Sequence, residues 1–120
     1  EGIHVQTAFA APPAGKFHSP AFSIALANAL ENALNACKHE PGPRIIKLKS
    51  RMFSGQYLME LSNTCSKTVL FDKDDLPISH RGEGHGIGTK SILSFAKQAK
   101  AMVNFRQEGG YFILQVITQA

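Results

Sequence analysis

Residues 27–37, ANALENALNAC, set the reading of the whole chain. They lie within a longer run, AFSIALANALENALNACKH, rich in alanine and leucine and free of glycine, whose composition predicts a long helix. Ser19 and Pro20 stand before it as N-cap and first helical residue; proline lacks the amide hydrogen that would be unpaired there. The helix should end before EPGPR. On a wheel, Leu26, Leu30, Ala33, Leu34 and Cys37 gather on one side, and Asn28, Asn32 and Asn35, with Glu31 beside them, on the other. Asparagine is a poor residue in mid-helix, and a solvated face more often carries Lys, Glu, Gln or Arg. That face is either plain surface or a place where short oxygen donors are wanted.

Outward from this helix, IHVQTAF puts Ile3, Val5, Thr7 and Phe9 on one side of a strand that APPAG ends. After the helix, RIIKLKSRM and YLMELSN alternate around FSGQ as a hairpin. Residues 64–84 lose periodicity and hold Pro, Gly and a carboxylate cluster, so a long loop is expected, and such loops are usually functional. TKSILSFAKQAK then reads as a helix with Ile92, Phe95, Ala96 and Ala99 on one side. AMVNFRQ and YFILQVIT, joined through EGG, close the chain as a second hairpin. This order predicts an α+β fold, a two-layer α/β sandwich whose mixed, mainly antiparallel sheet carries its helices on one face. At 120 residues, the chain is expected to form one domain over 1–120.

Composition narrows the function. The net charge of +4 is scattered, and Lys47, Lys49 and Arg51 alternate with Ile46, Leu48 and Ser50 as the outer face of a strand would. With no aromatic platform or recognition motif, no nucleic-acid partner is expected. Cys37 and Cys65 have no spacing of a disulfide scaffold or zinc site, which fits a reducing compartment. No apolar run reaches transmembrane length and the start lacks the features of a signal peptide. The chain also lacks an initiator Met, so it is expected to be a piece of a longer protein with any membrane anchor outside it.

Side-chain oxygens suit a hard cation, which makes Asn28, Glu31 and Asn32 a candidate partial Mg²⁺ site. The second signal is GEGHGIGTKSI, residues 82–92, where Gly82, Gly84, Gly86 and Gly88 let backbone approach a ligand and Thr89 to Ser91 open a helix. A glycine loop feeding a helix N-terminus is an anion site suited to phosphate; the alternative is a linker or an unusual turn. It is neither a Walker A loop nor a Rossmann turn.

Together, NALENALNAC and GHGIGTKSI resemble the N box and second glycine box of sensor histidine kinases, in the form found in quorum-sensing kinases of the accessory-gene-regulator and VirS type. This resemblance implies the Bergerat, or GHKL, ATP-binding fold with ATP and Mg²⁺ as cofactors. It implies that Asn32 ligates the metal, that Asn28 lines the phosphates and acts in catalysis, and that Asn35 continues the same face. Gly84, His85, Gly86, Ile87 and Gly88 would form the triphosphate loop, with amides from Thr89 and Lys90 nearby. Residues 72–84 would be the ATP lid, from which Arg81 or His80 reaches a phosphate. The usual Asp-x-Gly box is replaced by ELSNTCS, and Asn63 takes the aspartate's place toward adenine.

The implied activity is that of a protein histidine kinase in two-component signalling. Its partners would be the dimerisation and phosphoacceptor domain of the same receptor and, indirectly, a response regulator. The fragment would be monomeric, without membrane contact of its own, and the cytoplasmic part of a membrane-anchored bacterial receptor. The rival is a degenerate GHKL domain serving as a non-catalytic interaction module, favoured by the missing Asp-x-Gly. His85 reads as a hydrogen-bond partner rather than a base, His39 as a helix-end residue, Cys37 as core, and Asp72, Asp74 and Asp75 as lid surface rather than a calcium loop.

Overall fold

The computed structural model describes residues 2–8, 20–78 and 87–119. In chain order these form β1 (Ile3–Ala8), α1 (Pro20–Lys38), β2 (Arg44–Phe53), β3 (Gln56–Thr64), α2 (Ile87–Ala99), β4 (Met102–Glu108) and β5 (Tyr111–Gln119). The sheet order is β1-β2-β3-β5-β4, with β1 parallel to β2 and every other neighbour antiparallel. This is the mixed, mainly antiparallel sheet that the two hairpins called for.

Alternation along β3 sends Tyr57, Met59, Leu61 and Asn63 to the helix side, where all four are buried. Register extends this apolar surface across the sheet: Leu48 pairs with Leu61, Leu61 with Leu114, and Leu114 with Phe105. Both hairpins close with two residues of positive φ, Ser54 (50°) and Gly55 (75°) in the first, Gly109 (59°) and Gly110 (83°) in the second. That geometry matches the twist of the flanking strands and draws Phe53 and Gln56, expected in the turn, into the ladder as a pair.

Helix α1 lies on the sheet through Phe22, Ala25, Ala29, Ala33 and Cys37. The stripe shares Ala33 and Cys37 with the side expected from the wheel but is turned toward Phe22, Ala25 and Ala29. Leu26 and Leu30 flank the core, and Leu34 is 40% exposed. Small residues let the helix approach the strands closely, and the larger leucines fall where space opens beside it. Helix α2 buries Ile92, Phe95, Ala96 and Ala99 as its spacing predicts. It begins at Ile87 rather than Thr89, so Gly88 stands in its first turn. It ends in a left-handed residue, Lys100 (φ 56°), with the Ala101 amide donating to the Ala96 carbonyl at 2.9 Å, a Schellman closure.

Strand β1 forms as expected, over Ile3–Ala8. Ile3 packs against the core but Val5 is 58% exposed, because β1 is the edge strand beyond the cover of α1. Phe9 and Ser19 lie outside the described residues. No helix among the described residues is long and apolar enough to cross a membrane.

Candidate functional site

The two helices run antiparallel. The rings of Phe22 and Phe95 lie 5.1 Å apart, and further along α1 the Asn28 amide Nδ2 donates to Ser91 Oγ at 2.7 Å. One turn beyond Asn28, equal helical rise brings Asn32 level with the first turn of α2, where Ile87 and Gly88 stand. The first-turn amides of a helix have no partner within it. The asparagine face and the amide end of α2 therefore meet at one place. Asn28 is half-buried, while Asn32, Asn35 and Glu31 are exposed. Thr89 is buried and Lys90 exposed in the first turns of α2. His80, Arg81, Gly82, Gly84, His85 and Gly86 lie outside the described residues.

At the other end of the site, Asn63 occupies the last turn of alternation in β3, 4% exposed and paired with Ile46 on one side and Phe112 on the other. Its Nδ2 donates to the Thr64 carbonyl at 3.0 Å, which leaves Oδ1 as the acceptor. The Thr64 hydroxyl accepts from the Ile45 amide at 3.1 Å and lies 3.8 Å from Cys37 Sγ, tying the end of β3 to the last turn of α1. Both Asn28 and Asn63 thus spend an amide hydrogen inside the protein and keep an oxygen to offer.

Two side chains that the sequence reading passed over hold the segment after Asn63. Glu40, buried at the end of α1, accepts from the Ser66 amide at 2.9 Å and the Ser66 hydroxyl at 3.2 Å. Gln107 on β4 accepts from the Val69 amide at 2.9 Å and donates to the Lys67 carbonyl at 2.6 Å. Cys65 sits between these clamps. Burial first, then the nearby Glu40 carboxylate, push its thiol pKa up. No sequence signal marks these residues, because their partners lie 26 and 38 to 40 positions away.

Residues 70–78, which include the described part of the expected lid, close on themselves. Asp72 Oδ1 accepts from the amides of Asp74 (2.8 Å) and Leu76 (3.1 Å), and Phe71 bridges to Pro77. The Asp72 carboxylate is thus a turn cap, and no metal-holding group of three acidic, His or Cys residues occurs among the described residues. Phe71 stacks on Phe112 with centroids 6.5 Å apart, so this turn is docked beside Asn63. His39 and His4 are exposed.

The donor set fits Mg²⁺ with a nucleotide: neutral oxygens from asparagine on one helix, amides without a partner inside their own helix on the facing one, and a buried acceptor at the sheet end.

A family model described as the GHKL domain matches residues 17–119. No curated protein matches the chain. Among solved structures, the fold is similar to the histidine kinase domain of the Erythrobacter litoralis blue-light activated histidine kinase, with a TM-score of 0.75 at 16% identity over 98% of this chain and 52% of that one. It is similar to the catalytic domain of histidine kinase ThkA (TM-score 0.73, 13% identity, 98% of this chain and 80% of that one). It also resembles the Acinetobacter baumannii histidine kinase AdeS (0.69, 11%, 98% and 54%). The chain spans about half the length of the first of these, and at such identities the likeness shows the fold.

Proposed function

The chain belongs to the GHKL domain family, and from that premise we propose that it binds Mg-ATP and presents the γ-phosphate to a histidine on a separate dimerisation domain in two-component signalling. The observation that carries this reading is the antiparallel register of α1 and α2, which joins Asn28 to Ser91 and sets Asn32 beside the first turn of α2. Bound ATP with Mg²⁺ supplies the phosphoryl group; the chain's part is to position it and offset its charge. Asn32 offers an oxygen to the metal, with Asn28 and Asn35 on the same face. The amides of Ile87, Gly88, Thr89 and Lys90, together with Gly84, His85, Gly86 and Arg81, serve the phosphates. Asn63 Oδ1 accepts from the adenine amino group.

The finer reading is a kinase of the quorum-sensing type, supported by the two motifs and by asparagine at the aspartate position. With it go residues 1–120 as one domain, residues 72–84 as lid, and a monomeric cytoplasmic fragment of a membrane-anchored receptor. A response regulator would act downstream. The interaction-module reading rests on the missing Asp-x-Gly alone, and one titration separates the two. The chain is expected to bind ATP more tightly with Mg²⁺ than with EDTA, and Asn32→Ala to abolish the difference. Calorimetry showing no binding at millimolar nucleotide would sink the proposal in favour of the module.

A further inference from the structure

Where α1 and α2 face each other, the described contact is apolar apart from one polar pair: Phe22 against Phe95, with Ala25, Ala29 and Ile92 buried around them, and the Asn28 to Ser91 bond. A carboxamide has two faces of nearly equal shape, one a donor and one an acceptor. A cation takes only the oxygen. Left free, Asn28 would offer either end.

We propose that Ser91 is a positioning residue for Asn28: by accepting an amide hydrogen it holds the carboxamide against α2 in one rotamer and so presents Asn28 Oδ1 to the metal of the Mg-ATP site. The inference rests on the nucleotide-binding reading above. One of the two amide hydrogens is engaged with Ser91, and the second remains for a phosphate oxygen. Because Ser91 stands in α2, whose first turn supplies the phosphate amides, the bond also fixes the spacing between the cation-facing oxygen and those amides. One hydroxyl thus sets both the orientation and the distance.

The test is ATP affinity, measured by calorimetry on the 120-residue chain with Mg²⁺ and with EDTA. Ser91→Ala keeps a good helix former in α2. It is expected to weaken binding in Mg²⁺ about tenfold, the scale of one hydrogen bond, and to leave binding in EDTA unchanged. Ser91→Thr, which retains the hydroxyl, should restore it. In an Asn28→Ala background, Ser91→Ala should add nothing further. Equal losses with and without Mg²⁺ would show a packing role and overturn the inference, as would losses that add in the double variant. Wild-type binding with Ser91→Ala unchanged overturns this inference alone, whereas a wild-type chain that binds no ATP overturns the nucleotide reading and this inference with it.

Discussion

The two ends of the candidate site are held by different means. At the Asn63 end, a buried strand residue is fixed by pairing on both sides, and the segment after it is clamped by Glu40 and Gln107 from elements far away in sequence. At the Asn28 end, among the described residues, one side-chain hydrogen bond joins the two helices. The difference teaches that one end is built into the sheet, whereas the other depends on how two helices face each other. Chemistry that must rearrange around a substrate belongs at the second.

The sharpest way to break this contrast is Glu40→Ala. It removes two charge-assisted hydrogen bonds from a buried site and leaves the Ser66 amide without its acceptor, so about 2–3 kcal/mol of stability should be lost in chemical denaturation. A loss below about 0.5 kcal/mol, the range of ordinary surface changes, would mean that the Asn63 end is no more firmly built than the other. Lys100→Gly lies far from both. A non-glycine residue in the left-handed region carries a steric penalty, so glycine there should gain about 0.5–1 kcal/mol while ATP affinity stays unchanged.

The smallest effect is a pH effect at Cys65. Its pKa is raised above the ordinary 9.0, so folding favours the protonated thiol. The corresponding stability is present below the unfolded value and fades as pH rises through the folded one. Alkylation of Cys65 at pH 8 should therefore be slow, and Glu40→Gln, which removes the carboxylate's contribution, should quicken it. Equal rates in the two proteins would place Glu40 too far away to matter.

The same contrast governs how much could be read from sequence. The strands, both hairpins, the existence of both helices and the one-sided sheet follow from local periodicity, and the structure has them. The asparagine face and the glycine-to-helix junction are also local patterns. What periodicity missed depends on tertiary geometry. The wheel found Ala33 and Cys37 but centred its apolar side on the leucines because it weighs hydrophobicity, whereas the sheet also takes the small residues Ala25 and Ala29, which permit close approach, and leaves Leu34 exposed. Alternation put Val5 on the same side as Ile3, but nothing in its own segment says that β1 lies at an edge, where Val5 is exposed. Ser91 reads as one more residue of a helix start until α1 is laid against it, 63 positions away in the chain. Glu40 and Gln107 are silent for the same reason.

Asn63 is itself uncharged, and so are its pairing neighbours, Ile46 and Phe112. A hydrogen bond to a neutral carboxamide is little changed by screening, even with the Glu40 carboxylate bonded to the following segment. Contacts to phosphates and metal, in contrast, are weakened as ionic strength rises. Added salt acts as a one-sided probe: whatever part of nucleotide affinity it removes belongs to the helices, and whatever persists at high salt measures the grip of the sheet.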